Sequence, residues 1–207
     1  MEILAVVTGD IVNSQKVSGK LWLPILKAEL NNIGVSPKDW QIYRGDSFQF
    51  VCSAKEALLI SWLLKAALKN IPPLDVRMAI GIGTIEHRTS KVTESSGSAF
   101  VHSGHCFDLL KKQRLSIQTP WQEFNEAMQI MLALANTLTD KWTEKSAETI
   151  YIKLKNPELN QQKIATLLNK KGQGNISETL KRGGIDELTS LLNYYQHQID
   201  HYVRISS

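Results

Sequence analysis

Strand signals end at Pro120 in this sequence, and that break limits the folds open to the chain. Before it, apolar and alternating runs typical of strands are interleaved with helical spacing, which predicts the order β-α-β-β-α-β-α-β. The first six elements match the split βαβ arrangement of ferredoxin-like domains. After it, only helical spacing is present. We therefore predict an α+β domain over residues 1–118 and an all-α domain over residues 119–207.

Composition excludes several classes of protein. The chain is 43% hydrophobic and 21% charged, as in ordinary globular proteins. No apolar run reaches the roughly 18 residues that a membrane span needs. The opening segment MEILAVVTGD lacks the features of a signal peptide. The two cysteines of the chain, Cys52 and Cys106, belong to no zinc or redox motif. We therefore expect a reduced, cytoplasmic protein that makes no contact with membranes.

Two aspartates are the candidate metal ligands. Asp10 lies at the end of the first strand, and Asp46 follows a glycine in the hairpin over residues 40–53. These strands should be neighbours in a ferredoxin-like sheet, and carboxylate oxygens suit Mg²⁺ bound together with phosphates. Simpler explanations stay open for both residues. Gly45-Asp46 makes a good hairpin turn, and Asp10 could serve in a turn or a helix cap.

Four segments within residues 1–118 are similar to segments of class III nucleotide cyclases. DIVNSQ resembles their metal-binding strand end, YRGDSFQFV their Gly-Asp hairpin, and VRMAIGIGTIE the strand that follows. GSAFVHSGHCFDLL resembles the helix that carries their ribose and transition-state residues. The resemblance implies that Asp10, Asp46 and the backbone carbonyl of Ile11 would hold Mg²⁺ or Mn²⁺ together with a nucleotide.

The same comparison shows three departures from the cyclase pattern. Ile42 stands where a base-selecting lysine is expected, and Val101 and His105 stand near the places of an asparagine and an arginine. A mostly neutral histidine is a poor replacement for a permanent guanidinium. Losing such a cation costs on the order of 10²–10³ in rate. We therefore expect metal or phosphate binding without cyclisation, and we assign no catalytic residue.

The segment QQKIATLLNKKGQGNISETLKRG resembles a bacterial helix-turn-helix over about residues 160–184. Its apolar residues have the spacing that packs two helices together, and its basic residues outnumber a single acid, Glu178. Such residues suit contacts with base edges and phosphates. An ordinary αα-hairpin with a solvated basic face is the alternative, and the turn is a residue longer than the commonest form. The candidate DNA contacts are Lys170, Lys171, Gln173, Asn175, Ser177, Lys181 and Arg182.

Together the two halves resemble the SatD family of bacterial regulatory proteins. That resemblance implies a cytoplasmic regulator that binds double-stranded DNA, with a degenerate cyclase-like domain as sensor or dimerisation unit. It also implies a homodimer, which would present two recognition helices to a pseudo-palindromic site. Two alternatives stay open: a metal-dependent nucleotide-binding or nucleotidyl cyclase enzyme, and a protein-interaction module without either activity.

Overall fold

The structure, a computed structural model, describes residues 2–169 and 173–206. These residues contain five strands, eight α-helices and two short 3-10 helices, Ser14–Lys16 and Val92–Glu94. The chain is α+β, and the predicted order of its first eight elements is confirmed. The strands are β1 (Ile3–Val12), β2 (Trp40–Tyr43), β3 (Ser47–Ser53), β4 (Asp75–Thr84) and β5 (Leu115–Gln118). The helices are α1 (Gly19–Asn31), α2 (Ala57–Lys69), α3 (Ser98–Leu109), α4 (Gln122–Thr139), α5 (Glu144–Lys155), α6 (Gln161–Leu167), α7 (Gln173–Arg182) and α8 (Ile185–Ser206).

The strands form one mixed sheet in the order β2-β3-β1-β4-β5. Strand β1 lies at its centre and pairs antiparallel with both β3 and β4, whereas β5 pairs parallel with β4 at the edge. A central strand is covered on both faces, which explains the nearly continuous apolar run of β1. The register places Asp10 opposite Ser47 on one side and Arg77 on the other.

The two faces of the sheet are covered differently. Side chains from one face join α1, α2 and α4 in the main hydrophobic core, with Phe48, Trp62 and Phe124 among its largest buried residues. Helix α3 lies across the other face, over β4 and β1. Its backbone approaches so closely that a Cβ at Gly81 would lie 2.2 Å from the carbonyl oxygen of Ala99. Glycine is therefore required at this point of the strand.

The helices that follow β5 share the core of the sheet. The main core continues without a break from the strands through α2 and α4 into α5–α8. A capping box between Thr143 and Ser146 begins α5. The Trp142 indole N–H donates to the carbonyl of Gly183 at 2.9 Å, which fastens this start to the end of α7. The predicted boundary at residue 119 follows the last strand, although the hydrophobic packing crosses it. No helix in the described ranges is long and apolar enough to cross a bilayer.

Candidate nucleic-acid interface and carboxylate site

Asp10 is held by an arginine from the neighbouring strand. The Arg77 guanidinium donates to both carboxylate oxygens, from Nη2 at 2.6 Å and from Nε at 3.3 Å. The Cζ atom of Arg77 lies 4.8 Å from the centre of the Phe107 ring on α3. Both charged side chains are mostly buried, with 24% of Asp10 and 31% of Arg77 exposed. The sheet register therefore supplies a fixed positive partner for the first predicted ligand.

Asp46 has a different set of partners. The Ser14 hydroxyl donates to its carboxylate at 2.5 Å, and its backbone carbonyl accepts the N–H of Ile11 at 3.1 Å. Because Tyr43 pairs with Ser47, the turn of the hairpin consists of Arg44, Gly45 and Asp46, and the predicted Gly-Asp pair lies within it. Arg44 and Gly45 are the residues with positive φ, at 52° and 89°. Asp46 therefore fastens the hairpin to the segment after β1.

Arg77 competes with a divalent cation for the first predicted metal ligand. Its guanidinium donates to both carboxylate oxygens of Asp10, so a cation bound there would lie beside a fixed positive charge. The Ile11 side chain is buried and its N–H is bonded to Asp46. Within residues 2–169 and 173–206, no three His, Cys, Asp or Glu side chains gather where a metal could bind. The site at Asp10, Ile11 and Asp46 stays a prediction.

The cyclase-like positions on α3 are also occupied differently from that pattern. Val101 is 69% exposed, and the Nδ1 atom of His105 lies 2.9 Å from the Gln118 side-chain oxygen.

Neither of the two cysteine thiols is suited to nucleophilic chemistry. Burial raises the pKa of both Cys52 and Cys106, so both stay protonated at neutral pH. No alternative nucleophile is therefore supplied by the cysteines.

Sequence reasoning missed Arg77, although a signal was present. An arginine in the otherwise apolar segment VRMAIG needs an acidic partner, since an unpaired charge inside a sheet is costly. Finding Asp10 as that partner requires the strand register, because the two residues are far apart in the chain.

We expect the Asp10–Arg77 pair to stabilise the fold. Arg77→Met leaves a mostly buried carboxylate without its partner, so the free energy of unfolding should fall by about 1–3 kcal/mol. Urea denaturation of Asp10→Asn, Arg77→Met and the double variant should give a coupling energy of about 1 kcal/mol. If Mn²⁺ raised the melting temperature of the wild type but not of Asp10→Asn, the metal prediction would be supported instead.

The second candidate site is built by α5, α6 and α7, which contact one another. The Asn160 side chain accepts the Lys163 backbone N–H at 2.9 Å and begins α6. The apolar residues that the sequence predicts at the helix contact are inside the core. Those fully buried are Ile164, Ala165, Ile176 and Leu180, and Leu168 is partly buried. The spacing of these residues therefore gave the correct packing face of both helices.

The opposite side of α7 faces solvent. Asn175 and Lys181 are exposed, and the side chain of Arg182 is 78% exposed. Glu178 lies on this same side, where it accepts a hydrogen bond from Arg182 at 2.6 Å. This acid was not among the predicted contacts, although its position four residues before an arginine is typical of a helical ion pair.

The remaining predicted contacts lie in three places. Ser177 is half-buried and lines a cavity of about 560 Å³, together with Lys181 of α7 and Lys153 of α5. Gln173 is the first residue of α7, and its side chain lies outside the described part of the structure. Lys170 and Lys171 lie outside the described residues altogether.

These placements give α7 an exposed face with a net positive charge and a buried apolar face. Arg182 and Lys181 together carry two positive charges against the single negative charge of Glu178. Both side chains of the Glu178–Arg182 pair are mostly exposed, so this ion pair is weak. Comparison of the chain with protein-family models gives no match, and comparison with curated proteins gives none either.

Proposed function

We propose that the chain is a cytoplasmic, DNA-binding transcriptional regulator of the SatD family. In this proposal α6 and α7 form a helix-turn-helix, and α7 enters the major groove of double-stranded DNA. One observation carries it. Ile176 and Leu180 anchor α7 in the core, while Lys181 and Arg182 extend from it into solvent. Such exposed cations can neutralise phosphates, which is the main source of affinity for DNA.

For residues 1–118 we propose a ferredoxin-like, nucleotide-cyclase-like domain that serves as a sensor or a dimerisation unit. The strand order β4-β1-β3-β2, with all neighbours antiparallel, supports a ferredoxin-like core to which β5 is added at one edge. The alternative of a metal-dependent nucleotide-binding enzyme has less support, because Arg77 already neutralises Asp10.

DNA binding should depend on the end of α7. We expect Lys181→Ala combined with Arg182→Ala to weaken binding to duplex fragments of the protein's own genome by roughly tenfold or more. The affinity should also become less dependent on salt, with the slope of log K against log salt reduced by about 2. Fluorescence polarisation between about 0.05 and 0.2 M salt measures both quantities.

The matched control removes the same charge elsewhere. Lys20 and Lys27 are both exposed on α1, so Lys20→Ala combined with Lys27→Ala lowers the net charge equally. We expect this variant to bind DNA nearly as well as the wild type. Equal losses in both variants would mean that only net charge matters. An unchanged affinity in the α7 variant would exclude α7 as the DNA-binding element.

A further inference from the structure

A basic cavity of about 300 Å³ lies between the start of α5 and the last turn of α7. The hydrogen bond from the Trp142 indole to the Gly183 carbonyl fixes these two helix ends to each other. The described residues that line the cavity include no carboxylate. They include three cations and three hydroxyl side chains, which are Lys141, Lys145 and Arg182, and Thr143, Ser146 and Thr179.

Two of the three cations are unpaired. Lys141 and Lys145 are exposed, and neither forms an ion pair with any described residue. Lys145 lies in the first turn of α5, where the helix dipole disfavours a cation, so helix stability does not explain its position. Arg182 pairs only weakly with Glu178, which does not line the cavity. A cleft lined by one sign of charge concentrates ions of the opposite sign.

The hydroxyl groups at the cavity already have partners. The Thr143 hydroxyl accepts the Ser146 N–H at 3.3 Å, and the Ser146 hydroxyl accepts the Thr143 N–H at 2.7 Å. The Thr179 hydroxyl donates to the Asn175 carbonyl at 2.7 Å. Positive charge is therefore the main feature that the cavity offers to a ligand.

A phosphate group is the ligand that fits this charge. Ammonium and guanidinium groups form strong, charge-assisted hydrogen bonds with phosphate oxygens. The position of the cavity favours a phosphate of the DNA backbone. A helix in the major groove lies between two sugar–phosphate backbones, so side chains beside the end of α7 would meet the phosphates of one groove wall.

We propose that Lys141, Lys145 and Arg182 bind phosphates of the DNA backbone beside the groove that α7 enters. The contact rests on the proposed DNA-binding function, and it adds the start of α5 as a second DNA-binding element. It also assigns Arg182 to a phosphate and not to a base edge. Contacts of this kind fix the orientation of the recognition helix and raise affinity without selecting a sequence.

Removal of the two unpaired lysines tests the contact. Lys141→Ala with Lys145→Ala should weaken binding to duplex fragments by roughly tenfold or more and reduce the slope of log K against log salt by about 2. The loss should be equal for all duplex sequences, because phosphates carry no sequence information. Fluorescence polarisation measures these quantities, and Lys20→Ala with Lys27→Ala is the matched control that should bind nearly as well as the wild type.

Two measurements without DNA complete the test. In urea denaturation the Lys141→Ala, Lys145→Ala variant should be at least as stable as the wild type, because these cations have no partner to lose. The wild-type melting temperature in about 10 mM inorganic phosphate should equal that in chloride at the same ionic strength. A rise in phosphate that the variant lacks would assign the cavity to a free phosphate and overturn the DNA contact.

The outcomes separate this contact from the proposed function. If Lys181→Ala with Arg182→Ala weakens DNA binding but Lys141→Ala with Lys145→Ala does not, only the contact at α5 is wrong. If the wild type binds no duplex, both the proposed function and the contact fail. A loss of affinity limited to certain sequences, or one accompanied by a less stable fold, would also overturn the phosphate contact.

Discussion

Replacing Lys65 with methionine should lower the free energy of unfolding by about 3 kcal/mol or more. Only 1% of the Lys65 side chain is exposed, and its ammonium donates to Asp75 at 2.9 Å and to Asp140 at 2.7 Å. Lys69 donates to the other oxygen of Asp75 and to the backbone carbonyl of Asp140. Methionine keeps the packing volume but leaves Asp75 with one cation fewer, deep in the protein. Removing one member of a buried network is costly for that reason.

The matched control is another lysine–aspartate pair on the surface. Lys55 and Asp200 are 2.6 Å apart, with 46% and 44% of their side chains exposed. Because water screens this pair, Lys55→Met should cost less than about 1 kcal/mol. Urea denaturation followed by tryptophan fluorescence measures both variants. Equal losses for the buried and the exposed lysine would contradict the role given to Lys65.

The ion pairs of Lys65 also link the two halves of the chain, residues 1–118 and 119–207. Lys65 lies in α2, Asp75 begins β4, and Asp140 follows α4, so the ion pairs cross the boundary near residue 119. The main hydrophobic core crosses it as well. We therefore expect wild-type unfolding curves to show a single transition. Two separate transitions would instead show that residues 1–118 and 119–207 are independently stable.

Periodicity was sufficient to predict the order of the elements. The buried run of β1, the alternation of the hairpin strands and the helical spacing after Pro120 are local signals, and each leads to the element observed. The contact face of α6 and α7 was predictable for the same reason. Ile164 and Ile176 recur at intervals that only a packed helix face explains.

The chemistry of the carboxylate site was not predictable in this way. That Asp10 is neutralised by Arg77 depends on which strands are neighbours and on their register. Neither can be read from a single apolar run. The Gly-Asp turn, in contrast, is a local signal, and it lies in the loop between Tyr43 and Ser47 where the sequence predicts it.

The partners of polar side chains that lie far apart in the chain could likewise not be predicted from the sequence. The sequence shows Lys65 inside an apolar helix, but Asp75 and Asp140 become its partners only when β4 and the end of α4 meet α2. The asparagines that cap the backbone of β5 lie on a helix that follows the strand and turns back along it. Both arrangements follow from tertiary packing, which local propensity does not encode.

Gly81→Ala should destabilise the protein by about 3 kcal/mol or more, because the added methyl group meets helix backbone and not a movable side chain. Its Cβ would lie 2.2 Å from both the Ala99 carbonyl oxygen and the Ser103 nitrogen. Helix α3 would have to move off the sheet, and the bond from the Ser103 hydroxyl to the Thr8 hydroxyl, 2.8 Å long, would be lost.

Gly104→Ala is the control within the same helix. Apart from the neighbouring backbone of α3 itself, no described atom lies within 4 Å of a Cβ at this position, and alanine favours a helix over glycine by about 0.8–1 kcal/mol. We therefore expect this variant to be slightly more stable than the wild type in urea denaturation. A Gly81→Ala protein with unchanged stability would show that α3 is not held against β4 by this close approach.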